Sequence, residues 1–146
     1  MTFELRMTRL IPATPAEVFD AYTDPVKQRI WYNILEKEPM YLDIQADLRV
    51  GGEMTNVWGE YPDGLFRETN VIRVFEPGKR LVTTSSGSSP DGMEMTTEID
   101  LTFEETDGGT LVTVVQTGFP TEEMRDFFST YAWVGAFDRI ETYFAS

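Results

Sequence analysis

Met93-Glu94-Met95-Thr96-Thr97-Glu98-Ile99-Asp100-Leu101-Thr102-Phe103-Glu104 alternates with a period of two. Met93, Met95, Thr97, Ile99, Leu101 and Phe103 fall on one face; Glu94, Thr96, Glu98, Asp100, Thr102 and Glu104 fall on the other. Successive side chains of a β-strand point to opposite faces, so this is a strand with one dry side and one wet, acidic side. At about 3.3 Å per residue it runs roughly 40 Å, twice the usual strand length. A strand that long must curve, and its dry face needs an equally long cover.

The cover lies at the C-terminal end. Thr121-Glu122-Glu123 reads as an N-cap followed by acids in the first turn of a helix. From 121 to 144 there is no proline and the one glycine is Gly135. Met124, Phe127, Phe128, Tyr131, Trp133, Val134, Phe137, Ile140 and Phe144 make a broad apolar stripe along it. About 24 residues at ~1.5 Å each give ~36 Å, which matches the strand. One continuous helix over 121–144 is therefore expected.

The rest of the chain supplies the remaining sheet. A first strand runs from about Thr2 to Ile11 and ends at Pro12. Thr14, Pro15 and Glu17 form a capping box with proline at the first helical position, opening a short helix with Val18, Phe19 and Tyr22 on its apolar side. Thr23-Asp24-Pro25 caps a second short helix that ends near Trp31. From Tyr41 onward strands alternate with turns at Gly51-Gly52, Tyr61-Pro62-Asp63-Gly64, Pro77-Gly78, the Ser/Gly/Pro-rich 85–92 loop and Asp107-Gly108-Gly109. Such short connections predict an antiparallel meander. The fold class is α+β: a seven-stranded curved antiparallel sheet around a long C-terminal helix, with two short helices after the first strand.

Composition narrows the chemistry. The 146 residues suit one domain spanning 1–146. No apolar run approaches the ~18 residues needed to cross a bilayer, and the N-terminus lacks a signal peptide's apolar stretch. With no cysteine there is no disulfide framework, and a cytoplasmic location is expected. A net charge of −13, with 12 scattered Lys and Arg, argues against nucleic acid and anionic membranes as partners. Without histidine or cysteine, Ser-His-Asp and Cys-His mechanisms and thiolate or imidazole zinc sites are impossible. No phosphate-binding glycine motif is present. No cofactor is expected.

Geometry points to an interior space. Seven strands at about 4.8 Å spacing make a sheet roughly 30 Å wide, while one helix is ~10–12 Å across. The sheet must curl around the helix, and the middle is either filled or hollow. Ten Phe, three Trp, six Tyr and seven Met could do either. The functional reading is an apolar cavity lined by Trp58, Met93, Met95, Phe119 and Phe127, with Tyr131 beside Phe127 on the helix. Alternation also points polar residues inward: Asn56 with Met54 and Trp58, Glu68 and Asn70 with Phe66, Ile72 and Val74, and Gln116 with Val112 and Val114. Buried polar groups need partners. Asn56, Glu68, Asn70 and Gln116 are candidates to orient a ligand's polar end, or they pair with one another. Trp31 and Tyr32 follow the second helix and either staple it to the sheet or line the pocket's entrance. The row Glu94, Glu98, Asp100, Glu104 is read as a solvated face, with Arg67, Arg73, Lys79 and Arg80 available for cross-strand pairing.

Several segments together resemble the START-like (SRPBCC) helix-grip superfamily, and within it the homologues of the heat-shock protein 90 ATPase activator. They are Pro15-Ala16-Glu17-Val18-Phe19-Asp20-Ala21-Tyr22-Thr23-Asp24-Pro25, Val50-Gly51-Gly52-Glu53, Pro77-Gly78-Lys79-Arg80-Leu81-Val82, Gly118-Phe119 and Trp133-Val134-Gly135-Ala136-Phe137-Asp138-Arg139-Ile140. The resemblance implies a helix-grip fold and, as in other superfamily members, a cavity for a lipid, polyketide or other apolar molecule. It also implies two alternatives: a co-chaperone-type interaction module, and a polyketide cyclase-like enzyme, for which the residues themselves offer Glu68 or a tyrosine as general acid or base. No catalytic residue is carried over, because the matching segments are caps, turns and packing positions. The stretch Arg29-Ile30-Trp31-Tyr32-Asn33 and the acidic segment from Ile34 to Pro39 depart from the family pattern.

Overall fold

A computed structural model describes all residues from Met1 to Ser146. Strand β1 (Phe3–Ile11) is followed by helices α1 (Pro15–Thr23) and α2 (Pro25–Tyr32). Strands β2 (Tyr41–Ala46), β3 (Glu53–Glu60), β4 (Gly64–Glu76), β5 (Arg80–Ser88), β6 (Glu94–Thr106) and β7 (Gly109–Phe119) come next. The chain ends in α3 (Glu122–Phe127), a π-helical turn (Phe128–Ala132) and α4 (Trp133–Ala145). One seven-stranded sheet has the order β1-β7-β6-β5-β4-β3-β2, antiparallel throughout. The meander is therefore present, and β1 closes it by pairing with β7.

The opening stretch of sequence behaves as read, with one shift. In β6, Thr97, Ile99, Leu101 and Phe103 are buried, while Glu94, Thr96, Glu98 and Glu104 are exposed. Met93 precedes the strand and is 51% exposed, so it does not belong to the dry face. Met93 closes the Ser89–Gly92 turn, its carbonyl accepting from the Ser89 amide at 3.0 Å. On the wet face Arg80 grips Asp100 with two hydrogen bonds of 3.1 and 2.8 Å.

Capping drives the first helices as the sequence indicates. The Thr14 side chain accepts from the Glu17 amide and the Glu17 carboxylate accepts from the Thr14 amide; Asp24 caps α2. Between β2 and β3, Gly52 sits where a Cβ would lie 2.1 Å from the Asp47 carbonyl oxygen. Only glycine permits that approach.

Two expectations change. Val74 does not share the inner face with Ile72, because β4 shifts register between them. A β-bulge changes the parity of a strand. Beyond it Phe75, opposite Leu81, packs against the core and Phe19. The C-terminal helix is also interrupted by the π turn. Phe128 and Trp133 lie five residues apart, a step that an α-helix places on different sides but a π turn aligns. Both then contribute to the core, and Phe137 and Ile140 continue the line.

Candidate functional site

Strand register sorts the inner face into rows running across the sheet. The row Asn56–Glu68–Gly87–Met95 crosses β3 to β6. Beside it runs Met54–Asn70–Ser85–Thr97, and then Ile72–Thr83–Ile99–Gln116–Leu5. Beyond these the rows turn apolar, with Leu81–Leu101–Val114–Met7 and then Phe103–Val112. Polar side chains thus concentrate on one half of the grip, where α2 lies opposite them.

There they surround a cavity of about 30 Å³ lined by Tyr22, Gln28, Trp31, Tyr32, Asn56, Glu68, Asn70 and Thr83, with Met54, Leu81 and Leu101 as its apolar floor. Such a space holds a water molecule or two, or one polar head, not a whole apolar ligand. The large apolar cavity expected from the sequence is absent because Phe19, Phe119, Trp133, Phe137 and Ile140 fill the middle of the grip. A wider surface hollow of about 560 Å³ lies between α1 and the β4–β5 turn, and it is lined in part by capping and turn residues such as Glu17, Pro77 and Gly78.

Most polar side chains of the inner face are paired. Asn56 Nδ2 donates to Gln28 Oε1 at 3.1 Å and to the Tyr32 hydroxyl oxygen at 2.8 Å. Asn70 Nδ2 donates to Glu68 Oε1 at 2.7 Å, and Thr83 Oγ1 donates to Asn70 Oδ1 at 3.0 Å. Away from the cavity, Gln116 Nε2 donates to Thr97 Oγ1 at 2.9 Å and Gln116 Oε1 accepts from the Trp133 indole at 2.8 Å. Two buried side-chain groups lack a partner, Gln28 Nε2 at this cavity and Arg139 Nε on α4.

Burial also sets the protonation states. It is the main cause holding the Glu68 carboxyl above the usual carboxylate range, against the opposing hydrogen bonds from Asn70 and Ser85. Burial, reinforced by the nearby Glu68 charge, pushes both the Tyr22 and Tyr32 hydroxyls up. These tyrosines remain proton donors, and a protonated Glu68 would be a third.

Among the sequence candidates, Trp31, Asn56, Glu68 and Asn70 come together at this cavity. The Trp31 indole donates to the Ala21 carbonyl at 2.8 Å, so it staples α2 to α1 as well. Trp58 touches Tyr32 edge-on and stacks on Phe66 at 5.7 Å. Phe66, expected inside, is 42% exposed near the end of the β3–β4 hairpin, where Trp58, its partner across the strands, is the residue that packs against Tyr32 of α2. Met95 packs against the core, Gln116 is buried in its own pairings, and Phe119 is fully buried against Phe128. Phe127 and Tyr131 are 54% and 68% exposed, because the π turn aims Phe128 and Trp133 at the sheet instead. Tyr22, Gln28, Tyr32 and Thr83 complete the lining. Gln28, a polar residue on the sheet-facing side of a short helix, was the signal available in the sequence for a polar site here.

This fold has a family. The family described as activator of Hsp90 ATPase homolog 1-like protein matches residues 12–145. The chain belongs to it. Among solved structures, a protein from Rhizobium leguminosarum superposes with a TM-score of 0.83 at 20% identity, covering 99% of this chain and 95% of that one. CV1439 from Chromobacterium violaceum gives 0.75 at 19%, covering 96% of each chain. DynU16, a protein of the dynemicin biosynthetic locus, gives 0.69 at 19%, and the match covers 98% of this chain and 47% of that one. At these identities the likeness is one of fold, and it is the helix-grip fold. No curated protein sequence matches the chain. No helix of this family member is long and apolar enough to cross a membrane.

Proposed function

We propose that this protein binds a small, largely apolar molecule whose polar end sits in the cavity at Glu68. The observation that carries this reading is the polar lining itself, with Gln28 Nε2 buried and unpartnered in it. An unpaired buried donor costs about 1–3 kcal/mol, a cost that a bound oxygen would remove. Gly87 supports an approach route. It occupies an inward position between Glu68 and Met95 and places no side chain there. The ligand's apolar body would lie along this gap, against Met95, Trp58 and Phe66 and toward Phe127 and Tyr131 on the helix. The chemistry needs no cofactor, and the cysteine-free composition supports a cytoplasmic setting.

Native mass spectrometry of freshly purified protein tests the reading, with a retained small molecule as the expected result. Gly87→Leu should lose that molecule while remaining folded, since a Cβ there would meet only the Arg67 carbonyl oxygen at an ordinary 3.6 Å. An empty wild-type protein, or retention unchanged in Gly87→Leu, would count against it.

A co-chaperone-type interaction has separate support in the family description and in the net charge of −13. It would make binding to a chaperone partner weaken steeply with salt. A pull-down at low salt that recovers no chaperone would remove it.

A further inference from the structure

The cavity's hydrogen-bonding inventory goes further than the presence of a ligand, and it deepens the binding reading just proposed. Gln28 is 3% exposed; its Oε1 is occupied by Asn56, which leaves Nε2 as a free N–H donor. The Tyr32 hydroxyl accepts from Asn56 Nδ2, so its own proton is free to donate. Tyr22 brings a second hydroxyl to the same wall. On the acceptor side Glu68 Oε1 is already taken by Asn70, and Asn70 Oδ1 by Thr83. Gln28 Nε2 and the Tyr32 hydroxyl are thus left as donors to an incoming oxygen, while the second Glu68 carboxyl oxygen remains an acceptor.

Charge points the same way. No Lys or Arg lines the cavity. Arg139 acts on Tyr32 from nearby and its Nε is buried without a partner, but it lies outside the cavity lining and its Nη2 is 3.1 Å from Glu36 Oε1. A carboxylate or phosphate head would have to enter beside Glu68 with no cation to offset its desolvation. An uncharged oxygen acceptor would meet donors on several sides and face no such cost.

We propose that the cavity is a head-group site for uncharged ligands bearing a hydrogen-bond-accepting oxygen, of the ketone, ester or amide class, and that Gln28 is the residue that selects for it. The apolar body then supplies most of the affinity and the Gln28 N–H supplies the discrimination.

The test uses three probes with one apolar body: 2-acetonaphthone, 2-ethylnaphthalene and 2-naphthoate, titrated calorimetrically into the full chain at pH 7. The ketone should bind about tenfold more tightly than the hydrocarbon, as one satisfied buried donor allows, and the carboxylate more weakly than either. Gln28→Met, which keeps the side chain's length, should remove the ketone's advantage over the hydrocarbon. Should Gln28→Met fail to fold, Gln28→Glu keeps the shape and replaces the donor with an acceptor; it should lower ketone affinity by at least about tenfold. Equal binding of ketone and hydrocarbon, tightest binding of the carboxylate, or a ketone preference that survives both variants would overturn the head-group proposal while the binding reading stands. If none of the three probes binds and no molecule is retained in native mass spectrometry, both fall.

Discussion

On one half of the sheet's inner face Phe103 and Phe75 meet Phe19 edge-on at 5.2 and 5.5 Å, and Ile11, Leu81, Leu101 and Val112 fill the space around them. On the other half, carried by the same strands, Asn56, Glu68, Asn70, Thr83 and Gln28 surround a small cavity, and Phe127 and Tyr131 stand out in solvent. The first half is closed by α1, whose Val18, Phe19 and Ala21 are buried. The second is closed by hydrogen bonds and by α2. Apolar packing is non-directional and fills whatever shape is offered, whereas polar pairs hold fixed positions and leave gaps. That difference separates a structural end from an end able to take a ligand.

The contrast can be broken most directly by truncating one aromatic on each side. Phe103→Ala should cost about 3–5 kcal/mol in chemical denaturation, as a buried aromatic does. Phe127→Ala should stay within about 0.5 kcal/mol, as exposed positions do. Comparable losses would show that the second half is packed as tightly as the first. Next in size is Gln116→Ala, which strands the Trp133 indole N–H and the Thr97 hydroxyl. It should cost about 1–3 kcal/mol, and a neutral result would mean that water replaces the pairings freely.

Smaller effects sharpen the picture. Thr14→Ala removes the capping box that anchors α1 over the packed half. It should cost about 1 kcal/mol, read as a lower denaturation midpoint with binding unchanged. The smallest concerns Glu68. Its pKa is raised in the fold, so its contribution to stability is present below the ordinary value of 4.5 and is lost as pH rises through the folded value. Glu68→Gln should therefore raise the melting midpoint at pH 7 by at most about 3 °C, with the gain vanishing below about pH 4. A gain that grows on acidification would show that Glu68 is held as a carboxylate instead.

Much of the fold was legible in the primary structure because its determinants are local. Thr14-Pro15-Ala16-Glu17 starts a helix wherever it occurs, and the alternation in β6 reports which face meets water. The site was legible only in part. Asn56, Asn70 and Gln116 could be placed inside from strand parity, and they are inside. Phe66 obeys the same parity yet remains exposed, because parity tells which face a side chain joins and not whether anything covers it. Val74 was misplaced by a bulge, and a bulge leaves no mark in a run such as Val71-Ile72-Arg73-Val74-Phe75.

The sequence by itself determined the one-sided strand β6, the caps of the short helices, the antiparallel meander and the exclusion of histidine and cysteine chemistry. Each follows from residues close together in the chain. The tertiary structure alone decided that the grip is filled at its centre, that a π turn sends Phe128 and Trp133 inward and Phe127 and Tyr131 outward, and that Gln28 lacks a partner beside Glu68. Those outcomes depend on which side chains meet across elements far apart in sequence. Volume and hydrogen-bond pairing are settled only when the whole interior is assembled.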